Sequence, residues 1–145
     1  MTRAIGATWK RNSALIIFDF VFEEATEFGP TIVEDLARKF LGEDHYLDVD
    51  PHPKNRAQFG IPPLRADHTP IDPYGDEGCV FHEDLEGQAL REELWIKRCS
   101  ETNFTCALFI CGFLHTLSLS YRLQSAGFSV EQAGIYMPYP KLGGT

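Results

Sequence analysis

Cys106–Ala107–Leu108–Phe109–Ile110–Cys111 is the clearest strand in the chain, six apolar residues ended by Gly112. A run that short suits a buried strand better than a helix or a membrane span. Gly112 allows a tight exit, and the spacing of Leu117, Leu119, Tyr121 and Leu123 predicts a helix beyond it, which Gly127 lets stop. A last strand is expected over Val130–Tyr136, with a tail from Pro138. Working back toward the N-terminus, Thr102–Thr105 reads as a polar turn and Asp84–Ser100 as a helix with Leu90, Leu94 and Trp95 on its apolar stripe.

Further upstream, Ala14–Phe22 is rich in β-branched and aromatic residues and reads as a second buried strand, with a helix as the competing assignment. After Gly29, Pro30 or Thr31 opens a helix in which Ile32, Val33, Leu36, Ala37, Phe40 and Leu41 recur at helical spacing. Glu34, Asp35, Arg38 and Lys39 fall on its wet face, and Gly42 ends it. His45–Asp50 reads as a short strand stopped by Pro51, and Pro53–Phe59 as one or two helical turns closed by Gly60. Residues 61–78 hold Pro62, Pro63, Pro70, Pro73, Gly75 and Gly78 and are expected to form a long loop. Strands alternating with helices predict one α/β domain over residues 1–145: a mainly parallel sheet of about four strands with helices on both faces.

The chain has 145 residues and a formal charge of −8, which disfavours phosphate backbones and anionic membranes as partners. The stretches Ala14–Phe22 and Cys106–Leu119 fall short of the roughly 20 apolar residues of a spanning helix. Residues Met1–Asn12 lack the apolar run of a secretory signal, so a cytoplasmic location with reduced thiols is expected. Cys79, Cys99, Cys106 and Cys111 make no CxxC pair, which argues against a structural zinc site.

In parallel sheets ligands bind outside the carboxyl ends of the strands. Three such ends carry polar groups: Glu23 and Glu24, then Asp48 and Asp50, then Gly112 and His115. Arg56 follows the second, and Arg91–Glu92 lies in the long helix. This carboxylate–histidine–arginine set has the chemistry to hold a divalent metal, move protons or bind an anion. His115, Glu24, Glu23 and Asp48 are the catalytic candidates; Arg56, Arg91, Asp50 and Gly112 are the binding candidates. Each has a plainer reading. Glu23–Glu24 suits a solvated turn, Asp48 a helix N-terminus, and Asp50 a turn before Pro51. Arg56 suits a partner for either aspartate, and Arg91–Glu92 a charged helix surface. His115, past a buried strand and a glycine, is the residue the pattern favours most, while Cys111 reads as core. Phe28, Tyr74, Tyr136 and Tyr139 are candidates for a homodimer face.

The order Val21–Phe22–Glu23–Glu24–Ala25, Pro30–Thr31, Asp50–Pro51, Arg56, Gly60–Ile61, Arg91–Glu92 with Trp95, and Phe109–Ile110–Cys111–Gly112–Phe113–Leu114–His115 resembles a group of small bacterial α/β proteins. Their C-terminal part reads RExxW … LFICGxxH. The paired glutamates and the GxxH element also resemble the TraB/Tiki and erythromycin-esterase-like fold group, whose members use two GxxH elements, acidic residues and an arginine in a hydrolytic or metal-binding site. By that resemblance Gly112–His115 is the second GxxH. Where the first would stand the chain has Gly6–Ala7–Thr8–Trp9, with tryptophan in place of histidine. Convergence of these groups at the strand ends favours a small hydrolase, with a divalent metal as a candidate cofactor, while the missing first histidine favours a reduced, ligand-binding or regulatory module without turnover.

Overall fold

The computed structural model describes residues 4–5, 18–25, 29–63, 65–70, 77–82 and 85–132. Its main sheet has five strands, all parallel: β1 (Ala4–Ile5), β2 (Phe20–Glu23), β3 (Tyr46–Asp48), β6 (Cys106–Ile110) and β7 (Ser129–Val130). They lie in the order β3-β2-β6-β1-β7. The helices are α1 (Ile32–Leu41), α2 (Leu85–Glu101) and α3 (Thr116–Ser125). The α/β class, the parallel sheet and the helices on both faces follow the pattern of the sequence. Among the described residues no helix is long and apolar enough to cross a membrane.

The pleat of β2 sorts the layers. Phe20 and Phe22 point to one face, where they join Val49, Ala107, Trp95 and Cys99 of α2, and Leu119 and Leu123 of α3. Val21 points to the other and packs with Tyr46, Ala37 of α1, and the partly buried Val33, Leu41 and Leu108. Trp95 and Phe22 are wholly withdrawn from solvent; side chains of this size contribute about 1.5–3 kcal/mol each on burial. At the other end of the sheet, Asp19 joins strands β2 and β6, its carboxylate accepting from the N–H groups of Thr105 and Cys106.

Several elements differ from the sequence reading. The strand expected over Ala14–Phe22 runs over Phe20–Glu23, with residues 14–17 outside the described set. A two-residue strand, β1, sits between β6 and β7; it carries too little sequence to show a period. The expected loop over 61–78 contains β4 (Arg65–Pro70), paired antiparallel with β5 (Glu77–His82) in a separate two-stranded sheet. Pro70 stands at the end of its strand, where a missing N–H costs least, so it does not forbid the pairing. The last strand is Ser129–Val130, and residues 133–136 of the expected one lie outside the described set.

In α1, Thr31 caps the helix by accepting the N–H of Glu34 at 3.0 Å, and Gly42 ends it at φ 113°. Only half of its apolar positions face the sheet. Ile32, Leu36 and Phe40 are exposed, because the helix lays its neighbouring Val33–Ala37–Leu41 ridge on the strands.

The strand order places one feature of direct consequence. β2 and β6 are neighbours, yet the chain leaves β2 for α1 on one face and leaves β6 for α3 on the other. Their carboxyl ends flank a topological switch point, the place where connections diverge and a crevice opens in sheets of this kind.

Candidate functional site

Glu24 follows β2 immediately, so the pleat that sends Glu23 to the α1 face sends Glu24 to the α2–α3 face. Its backbone N–H still bonds the Ile110 carbonyl at 2.8 Å, which holds it level with the end of β6. One carboxylate oxygen accepts from the N–H of Gly112 at 2.7 Å. The other meets Nη2 of Arg91 at 2.5 Å and lies 3.6 Å from Nε2 of His115. The two strand ends of the switch point are thus joined through one side chain.

Arg91 comes from α2 and is buried. Its Nε donates to Oδ1 of Asp50 at 2.8 Å, and its guanidinium lies 4.9 Å from the ring centre of Trp95. Trp95 donates its indole N–H to the same Asp50 oxygen at 3.1 Å. Burial pushes the Asp50 carboxyl upward and is only partly opposed by Arg91.

The third group is His115, 7% exposed. Gly112 leads into a single 3₁₀ turn, Phe113–His115, that continues into α3 and sets the imidazole edge-on to Trp95 at 4.8 Å between ring centres. Its Nδ1 lies 2.9 Å from Oε1 of Glu92, a carboxylate with no solvent exposure. Ser118 donates to the same oxygen at 2.6 Å, and Gln88 at 3.2 Å. Nε of Arg122 stands 3.1 Å from the other Glu92 oxygen, an ion pair without the alignment of a hydrogen bond. With a carboxylate at Nδ1, that nitrogen carries the proton of the neutral ring, and Nε2 is its acceptor, facing Glu24.

The structure therefore brings together Glu24, Asp50, Arg91, Gly112 and His115 of the sequence candidates. It does not bring in Glu23 or Asp48. Glu23 lies on the opposite face, where Oε2 accepts from Thr31 at 2.6 Å and from Tyr46 at 2.8 Å. Burial, then that carboxylate, pushes the Tyr46 phenol well above its ordinary range. Asp48 closes an Asx turn, accepting the N–H of Asp50 at 2.9 Å and that of Ala25 at 3.2 Å. The turn ends the strand's alternation, so Asp48 and Asp50 do not share a face as an extended chain would make them. Arg56 is buried in the 3₁₀ segment Pro53–Phe59, its carbonyl accepting from Ile61 at 3.1 Å.

Ser118 and Arg122 were not among the candidates; Glu92 entered the set only as the neighbour of Arg91, with no role of its own, and Trp95 only on the apolar stripe and in the resemblance. Their spacing is helical, Trp95 four residues from Arg91 and three from Glu92, and Arg122 four from Ser118, which puts each group on one helix face without telling which way that face points. Cys111, beside the cluster, has its thiol pushed up to about 12 by burial first and then by Glu24 and Glu92. The carboxylates do not suit a divalent metal as they stand, because Arg91 occupies the position between Glu24 and Asp50. Among the described residues no group of three or more His, Cys, Asp and Glu is placed to hold a metal ion.

Fold and site together define a parallel α/β domain with a buried carboxylate–arginine–histidine cluster at its strand-end switch point. Comparison with protein-family models, with curated proteins and with solved structures finds no match.

Proposed function

We propose that this protein is a small hydrolytic enzyme in which His115 is the general base, acting on a small ligand at the switch-point crevice. The observation that carries the reading is the 2.9 Å contact between Nδ1 of His115 and the fully buried carboxylate of Glu92. A carboxylate behind an imidazole fixes its tautomer and orientation and leaves the far nitrogen to take a proton. A water or substrate hydroxyl that reaches Nε2 also meets Oε1 of Glu24, 3.6 Å away. The imidazolium formed by that transfer then lies between two carboxylates, which stabilise it. Arg91 holds Glu24 and Asp50 in place, and is a positioning residue in this scheme.

The test is a panel of chromogenic esters, amides and phosphoesters, assayed with wild type, His115→Gln and Glu92→Gln. Loss of about 100-fold or more in kcat for His115→Gln, with an unchanged circular dichroism spectrum, is the expected result. Turnover that survives in His115→Gln removes His115 from the chemistry.

A second reading, a ligand-binding module without turnover, has its own support. Every described carboxylate of the cluster already has cationic or N–H partners within the chain. Such a module gains thermal stability at saturating ligand by mass action. A melting-temperature rise with a small carboxylate or phosphate, alongside no hydrolysis of any substrate in the panel, favours it.

A further inference from the structure

The outer ridge of α1 is apolar and uncovered. Ile32 is 79% exposed, Leu36 49% and Phe40 73%, and they stand at i, i+4 and i+8 on one strip of the helix. The adjacent ridge, Val33, Ala37 and Leu41, is committed to the sheet, so rotating the helix does not hide the strip. A contiguous apolar strip of this kind marks a contact surface rather than scattered exposure.

The charges beside the strip say what fits it. Asp35 and Lys39 are both exposed and flank it on the same side, the acid in the first turn and the base in the last. Lys39 also spreads over the ring of Phe40 at 5.5 Å, at the strip's end. We propose that α1 pairs antiparallel with α1 of a second copy of this chain, about a two-fold axis at Leu36. Ile32 then meets Phe40 of the partner subunit, and Leu36 meets its own counterpart. Asp35 stands one residue before the axis and Lys39 three after it. In the reversed helix Lys39 of the partner subunit therefore falls about 3 Å along the axis from Asp35, at 1.5 Å per residue. The pair recurs on the other side of the two-fold, as an isologous interface requires. The same arrangement opposes the positive end of each helix dipole to the negative end of its neighbour.

One helix face is smaller than the roughly 800 Å² per partner of a standard interface, so the association is weak, with Kd on the order of 10–500 µM. Sedimentation equilibrium from 1 µM to 1 mM, at low and high salt, tests it with four proteins: wild type, Leu36→Glu, Asp35→Lys, and Asp35→Lys with Lys39→Asp. Wild type is expected to dimerise with concentration, Leu36→Glu to stay monomeric, Asp35→Lys to weaken the dimer about 5-fold or more, and the double swap to restore it. All three positions are exposed, so the fold survives each change, and circular dichroism verifies that. A wild type that stays monomeric throughout overturns the proposal. So does a dimer indifferent to Leu36→Glu, or a double swap no better than the single.

Discussion

His115 and Glu92 meet through Nδ1 and Oε1 at 2.9 Å, from helices that follow different strands, with the carboxylate fully enclosed. An enclosed charge is tolerated only while its partners stay in place. Glu92 has four of them: Gln88 from its own helix, and His115, Ser118 and Arg122, which tie α2 to the 3₁₀ turn and α3.

Glu92→Gln keeps the shape of that side chain and removes its charge. The cost is expected to be about 2–4 kcal/mol, because three donors lose their charged acceptor. Urea denaturation followed by Trp fluorescence measures it. The double variant with His115→Gln is expected to cost less than the sum of the singles, by about 0.5–3 kcal/mol. Strict additivity shows that the two side chains do not act as a unit.

Gly112→Ala isolates a steric effect. Gly112 sits at φ −59°, which alanine adopts freely, so backbone strain does not enter. An added Cβ comes within 3.3 Å of Oε2 of Glu24, close enough to displace the carboxylate from the Gly112 N–H. A loss of about 1 kcal/mol is expected, and it should largely vanish in a Glu24→Ala background. If the loss is unchanged there, Glu24 is not what the new methyl meets.

These sites show what the sequence could convey. His115, Gly112 and Glu24 follow apolar runs, and a strand end announces itself through where the run stops. Glu23 was indistinguishable from Glu24, because only the pleat of a strand whose start is known assigns adjacent residues to opposite faces. The apolar run suggested a start near Ala14, and the strand begins at Phe20. Asp48 and Asp50 were misplaced for a related reason: the Asx turn that separates them depends on a distant N–H, that of Ala25, as well as a local one. Glu92 looked like a surface charge since nothing local tells which side of α2 packs. α1 carried six apolar positions at helical spacing, and the sheet took one ridge of them. The expected aromatic dimer face, Phe28, Tyr74, Tyr136 and Tyr139, lies outside the described residues.

Asp19→Asn gives a pH-dependent change. Burial acts upward on the Asp19 carboxyl, but the N–H groups of Cys106 and Thr105 outweigh it, and its pKa lies below the ordinary value. A carboxyl lowered on folding contributes stability above its unfolded pKa and loses it as pH falls through the folded one. Asp19→Asn is therefore expected to be about 1 kcal/mol less stable than wild type at pH 7. The difference should shrink below about pH 4 as the wild-type carboxylate protonates. A gap that keeps its pH 7 size however far the pH falls means the carboxylate charge is not its source.

Cys111 should be inert despite its place beside the cluster. A thiol pushed up to about 12 has almost no thiolate at neutral pH. Iodoacetamide labelling at pH 8, followed by mass spectrometry, is expected to run about 1,000-fold slower in the native protein than in denaturant, where an ordinary thiol has a pKa near 8.5. Labelling of Cys111 in the native protein at the denatured rate places the thiol outside the buried cluster.

The bridge made by Arg91 separates what stabilises the site from what the site does. Nε reaches Asp50 and Nη2 reaches Glu24, 2.8 Å and 2.5 Å away, so two carboxylates share one planar fork. A lysine has one charged nitrogen and cannot hold both in that geometry. Arg91→Lys is expected to cost about 3 kcal/mol or more, since it leaves at least one enclosed carboxylate without its partner. Replacing the whole set, Arg91→Met with Glu24→Leu and Asp50→Leu, removes the charges together. That triple variant is expected to recover most of the lost stability, because an apolar cluster of similar volume costs no desolvation of ions. Urea midpoints of the two variants decide the stability half. The hydrolysis and ligand panels, run on the folded triple variant, decide the rest: a protein that melts like wild type but has lost turnover or binding shows that the charges are kept for function. A triple variant as unstable as Arg91→Lys shows instead that the ionic bridge itself holds the strand ends together.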